Sequence, residues 1–251
     1  MSQILKGKVA LVTGGSRGLG AATAEALADQ GADVAISYVA SAGKAEAVVE
    51  RLRAKGVRAL AIQSDQADTA AAKPLIDTVI ATFGKLDILV NNAAYQQHAE
   101  SLEDITDERL DLTFRTNIFG YFHMAQAAVP HLKEGSAIVN TGSVVGLQGS
   151  ATLLDYASTK GAIHAFTKSL AQNLLPKGIR VNAVAPGPVW TPLNPADAPA
   201  EKVSKFGATS DVKRAAQPEE LSPAYVFLAS PVCASYITGM VLPVTGSVGA
   251  I

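Results

Sequence analysis

Short apolar runs alternate with helix-patterned stretches along the whole chain, and that alternation constrains the fold more than any single residue does. The spacing predicts strands over 9–13, 33–38, 58–63, 86–91, 137–143, 180–185 and 241–244. Helices are predicted over 21–30, 44–55, 70–83, 107–131, 156–175 and 219–229. Strands that alternate with helices need crossover connections, which give a parallel sheet with helices on both faces. Runs such as Ile88-Leu89-Val90 suit a strand buried on both sides. The expected fold class is α/β, a doubly wound parallel sheet of about seven strands. No internal repeat or low-complexity linker divides the chain, so a single domain over residues 1–251 is expected.

The first predicted strand runs directly into Thr13-Gly14-Gly15-Ser16-Arg17-Gly18-Leu19-Gly20, and an alanine-rich helical segment follows. A strand, a glycine turn and a helix N-terminus together cradle a pyrophosphate. Glycines let the backbone approach the anion, while the uncapped N–H groups and the helix dipole face it. The spacing is G-x-x-x-G-x-G, not the commoner G-x-G-x-x-G.

Tyr156 and Lys160 lie four residues apart and share one face of a predicted helix. A free phenol titrates near pH ~10, and a nearby ammonium is expected to lower that value, making the tyrosine a general acid or base. None of the other five tyrosines has a lysine four residues on. Ser143 ends a predicted strand upstream, where its hydroxyl could polarise a carbonyl oxygen beside the tyrosine.

In this order and spacing, the pieces resemble the short-chain dehydrogenase/reductase family over essentially the whole chain, from Gly7 to about Gly246. The glycine turn, Asn91-Asn92-Ala93-Ala94, Asn117, Ser143, the Tyr156/Lys160 pair and Pro186-Gly187-Pro188-Val189-Trp190-Thr191 carry the resemblance. Two positions depart from it: Ala94 stands where the family usually has glycine, and Pro243-Val244-Thr245-Gly246-Ser247 replaces an Asp-Gly-Gly-like turn. The resemblance implies a Rossmann-like domain and an oxidoreductase in which Asn117, Ser143, Tyr156 and Lys160 are catalytic. Asn117 would hold a water linked to the lysine, and Lys160 would also bind the nicotinamide ribose.

Cofactor contacts are implied for Gly14, Ser16, Arg17, Gly18, Leu19 and Gly20 of the turn, and for Tyr38 and Ser41 after the second strand. They are implied likewise for Asp65 and Gln66 near the adenine, Asn91 and Ala93, Tyr156 and Lys160, and Pro186, Gly187, Val189 and Thr191. NAD-preferring sites place an acid at the end of the second strand, but here that strand ends Ser37-Tyr38-Val39-Ala40-Ser41. No carboxylate stands there to repel a 2′-phosphate, and Arg17, Ser16 and Ser41 supply charge and donors. NADP(H) is therefore expected over NAD(H), with carbonyl reduction as the reaction. The alternatives are an NAD-dependent alcohol, polyol or sugar dehydrogenase and a 3-oxoacyl thioester reductase.

Composition narrows the remaining classes. A chain 48% hydrophobic with a formal net charge of −1 can bury a large core and offers no electrostatic surface for nucleic acid or anionic membrane. No apolar run is long enough to span a bilayer, and the single Cys233 forms no internal disulfide, so a cytoplasmic setting is expected. The four histidines lack metal-ligand spacing, and no catalytic metal is expected. A proline-rich connection over 191–217 reads as a substrate lid. Trp190 at its start reads equally as a core anchor or as a pocket wall. Family resemblance also implies a homotetramer.

Overall fold

The computed structural model describes residues 3–193, 203 and 205–249. Seven strands form one sheet in the order β3-β2-β1-β4-β5-β6-β7, with every pairing parallel. They are β1 (Val9–Val12), β2 (Asp33–Tyr38), β3 (Ala59–Gln63), β4 (Ile88–Asn91), β5 (Ala137–Thr141), β6 (Arg180–Pro186) and β7 (Val241–Val244). The longer helices are α1 (Gly18–Asp29), α2 (Ala42–Ala54), α3 (Ala72–Phe83), α4 (Asp107–Phe114) and α5 (Gly120–Ala128). A short α6 (Val145–Gln148) precedes α7 (Leu154–Leu174), and α8 (Pro218–Ala229) leads into a single turn, α9 (Pro231–Ala234).

Alternation along the strands builds two cores, one on each face of the sheet. Ala10, Val12, Val34 and Ile36 pack with Leu27 of α1, Val48 and Leu52 of α2, and Leu221 and Tyr225 of α8. Val9, Leu11 and Ala35 point the other way, onto Ile76 and Val79 of α3, Met124 of α5 and Leu174 of α7. Successive strand side chains face opposite sides, so a continuous apolar run supplies both layers. Strand order reverses between β1 and β4, and the crevice beyond their C-terminal ends is where such sheets bind ligands.

Three local features differ from the pattern read in the sequence. The long helix predicted over 107–131 is broken by a π-helical turn at Arg115–Phe119, between α4 and α5. β5 stops at Thr141, so Ser143 stands on the loop beyond it. α7 begins at Leu154, which places Tyr156 and Lys160 in its first two turns.

Of the connection read as a lid, residues 194–202 and 204 lie outside the described residues. Its two described ends are stitched together at the base. Val189 pairs with Ala216, and the Trp190 N–H donates to the Ala216 carbonyl at 2.8 Å.

Candidate active site

The glycine turn sits at the C-terminal end of β1 because only glycine meets its geometry. Gly14 has φ +64°, and a Cβ there would lie 2.9 Å from the Ala93 Cα. A Cβ at Gly20 would collide with the Gly14 carbonyl oxygen. α1 starts at Gly18 with no side-chain cap from Arg17 and no acid in its first turn, so its N-terminal field faces the cleft uncompensated. The loop after β4 is tied to this turn. Thr13 Oγ1 accepts from the Asn92 and Ala93 N–H groups at 2.9 and 3.0 Å, and Asn92 Nδ2 donates to the Thr13 carbonyl at 2.9 Å.

Turn, loop and first helix line a cleft of about 650 Å³ that also takes in Thr141, Ser143, Tyr156 and Lys160. Lys160 is fully buried, donates to the Thr141 carbonyl at 2.7 Å and lies 5.3 Å from the centre of the Tyr156 ring. Burial pushes the Lys160 ammonium down to about 7. Burial also pushes the Tyr156 phenol up to about 12, opposed by its hydrogen bond with Ser143. The lysine was expected to lower the phenol. Burial instead raises the phenol and lowers the ammonium, each toward its neutral form.

The N-terminal end of α7 is fixed from below by a buried ion pair. Arg109 Nη2 and Nε donate to the two Asp155 carboxylate oxygens at 2.9 and 3.1 Å, and Thr113 Oγ1 donates to Asp155 at 2.8 Å. Burial pushes Asp155 up, but hydrogen bonds from Arg109, Thr113 and the Tyr156 main chain together hold it below the usual carboxylate value. Arg109 also donates to the Gln97 and His98 carbonyls, joining α7 to the loop after β4.

Every residue assigned to the cofactor from the sequence lines the cleft except Asn91. Its amide points into the interior and donates to Asn140 Oδ1 at 3.0 Å, forming a rung between β4 and β5. Asn92 lines the cleft instead. Gln66 does line it, but its amide protons go to the Ala93 and Thr116 carbonyls, so it also braces the loop against the π-helical turn. Asn117 is turned away from the cleft. Its Nδ2 donates to the Tyr95 carbonyl and to Thr159 Oγ1 at 2.9 and 3.0 Å, and its Oδ1 accepts from the Tyr95 N–H. The side chain thus clamps the β4 loop to α7.

Trp190 does not line the cleft; Phe206 does, with Trp190 edge-on behind it at 5.4 Å. Phe206 escaped notice in the sequence, where the only signal was a lone aromatic in a charged stretch. Val144, Val145, Leu153 and Leu193 add apolar lining to the cleft, and Gln96 and Thr209 polar lining.

A doubly wound sheet with a glycine turn at its switch point and a Ser-Tyr-Lys group in the same cleft defines a class, and comparison with known proteins agrees. Residues 14–248 match the family described as enoyl-(acyl carrier protein) reductase. The chain belongs to the short-chain dehydrogenase/reductase family of oxidoreductases. It is 47% identical to NADPH-dependent aldehyde reductase 1, chloroplastic, of Arabidopsis thaliana, over 98% of this chain and 87% of that protein. It is 50% identical to glucose and ribitol dehydrogenase of Daucus carota, over 96% and 85% respectively. Among solved structures, a short-chain dehydrogenase from Burkholderia cenocepacia in complex with NADP superposes with a TM-score of 0.91 at 41% identity, covering 97% of this chain and 98% of that one.

Proposed function

We propose that this chain is an NADP(H)-dependent carbonyl reductase working through Ser143, Tyr156 and Lys160. The observation that carries the reading is geometric: Ser143, Tyr156 and Lys160 line the same cleft as the glycine turn, with the Tyr156 phenol hydrogen-bonded to Ser143. A phenol that keeps its proton at neutral pH is suited to giving it to an oxygen that becomes an alkoxide.

The cradle fits a dinucleotide, because glycines let the turn pack closely on the loop after β4 and the start of α1 carries no acid. The pyrophosphate would rest on the Gly14–Gly20 turn, the adenine near Asp65 and Gln66, and the carboxamide near Val189 and Thr191. The 2′-phosphate would meet Arg17 and Ser41. Ser41 precedes α2 without spending its hydroxyl on a cap, and no acid follows β2. Bound there, NADP(H) supplies the hydride.

Ser143 and Tyr156 hold the carbonyl oxygen by their hydroxyls, and Tyr156 Oη delivers the proton. Lys160 stabilises the charge left on the ring and would hold the nicotinamide ribose. Asn117 braces the helix that carries both. Phe206, in the described part of the connection read as a lid, gives the cleft an apolar wall that would help to exclude water. Support for the cofactor comes from the NADP-bound Burkholderia structure and the NADPH-dependent plant reductase. Oxidation of polyols or sugars is the second reading. The name of the carrot relative favours it, and the apolar lining of the cleft opposes it.

Steady-state assays of aldehydes, ketones, ketoesters and sugars with NADPH and NADH test the proposal. Expected are higher kcat/KM with NADPH on apolar carbonyls, and an Arg17→Ala variant that loses at least about tenfold in NADPH affinity with little change for NADH. Equal or better efficiency with NADH on a polyol would replace the first reading with the second.

A further inference from the structure

Beneath the Ser143 loop lies an imidazole. His164 is one turn beyond Lys160 on the same face of α7, and it is buried at 5% exposure. Its Nε2 accepts a hydrogen bond from the Ser143 main-chain N–H at 3.4 Å. Glycines near Ser143 make room for the ring. A Cβ at Gly142 would collide with His164 Nε2, and one at Gly146 would lie 2.8 Å from His164 Cε1.

An acceptor at Nε2 leaves the ring proton on Nδ1. The Gly146 main chain favours a proton on the ring, although Nδ1 makes no well-formed hydrogen bond. Burial, then the charges of Lys160 and Lys168, hold the imidazole neutral by bringing it down to about 4. A cationic ring would set a donor against the Ser143 N–H and a second charge beside Lys160.

We propose that His164 is a positioning residue for the carbonyl end of the site: its bare Nε2 fixes the Ser143 main chain, and thereby aims the hydroxyl that meets the substrate oxygen. The inference rests on the reductase reading of Ser143, Tyr156 and Lys160. An aliphatic side chain here would fill the space yet leave the Ser143 N–H without an acceptor in a dry interior. The loop keeps its other anchors, Gly142 N–H to the Val184 carbonyl at 2.7 Å and Val144 N–H to the Pro186 carbonyl at 2.8 Å. Loosening therefore concentrates at Ser143.

Four measurements test this. His164→Leu is expected to lower kcat for ketone reduction about tenfold through misplacement of the hydroxyl, with NADPH affinity by fluorescence titration unchanged. Because the effect passes through Ser143, the same change made in a Ser143→Ala background should cost less than about twofold. His164→Gln, which carries an acceptor near the position of Nε2, should recover most of the rate. Nitrogen-15 NMR of the wild type should show the neutral Nδ1–H form at pH ~6, where an ordinary histidine is largely cationic. Wild-type kcat in His164→Leu, an equal loss in both backgrounds, or an Nε2–H ring would each overturn the inference. If His164→Leu does not fold, the glutamine variant and the ring tautomer decide. A wild type inactive with every carbonyl would sink the proposed function, and the tautomer would still decide the case of His164.

Discussion

Desolvation governs the two residues at the centre of the cleft, and it moves them in opposite directions. Burial pushes the Tyr156 phenol up to about 12 and brings the Lys160 ammonium down to about 7. Tyr156→Phe removes only the hydroxyl, so cofactor affinity should persist while turnover falls at least ~10²-fold, the worth of a positioned general acid. Near-wild-type turnover would take the proton-donor role away from Tyr156. Lys160 makes a second prediction, read in stability. Its native value of about 7 lies below its ordinary 10.5, so between those values the unfolded chain binds a proton that the folded one refuses. Stability must then rise with pH across that window. Melting temperatures taken from pH ~7 to ~10 should climb for the wild type relative to Lys160→Met, the limit being set where tyrosines begin to ionise. A constant difference between the two proteins would show that Lys160 titrates normally.

Among the elements, α7 does most to assemble the site, and its N-terminal end depends on the Arg109–Asp155 pair. Asp155→Asn leaves the buried Arg109 charge poorly matched and should cost about 3 kcal/mol in denaturant unfolding. Replacing both partners by apolar residues should cost less, since no orphaned charge remains. A single variant as stable as the wild type would show the pair to be dispensable. The strands and the α7 face were legible in the sequence because periodicity is local: Val9 to Val12 and the Tyr156/Lys160 spacing need no partner to be seen. The π-helical turn at Asn117 left a faint trace, an asparagine inside a helical pattern. The Arg109–Asp155 pair, the inward turn of Asn91 and the ring under Ser143 left none. Each joins residues far apart in the chain, and no spacing rule anticipates which will meet.

At the scale of the whole molecule, two groups of exposed apolar side chains stand out among the described residues. Phe119 and Phe122 of the α5 region are more than two-fifths exposed, with Phe122 packed on Phe166 of α7. Val232, Tyr236 and Met240 stand out beside β7. We propose that these faces serve the homotetramer expected of the family, since patches of this kind commonly mark interfaces. Light scattering should give a tetramer for the wild type and a smaller species for Phe122→Glu. A monomeric wild type at micromolar concentration would remove the proposal.

The last strand also limits how such an assembly is built. Met240 and Val244 turn their carbonyls toward β6, accepting from Ala183 and Gly187, so by strand alternation Pro243 faces outward. A proline there removes a backbone donor from the sheet's open margin. That weakens any in-register extension of the sheet across this margin and so works against fibre growth there. If copies meet along β7, side chains rather than a continued strand ladder would carry their recognition.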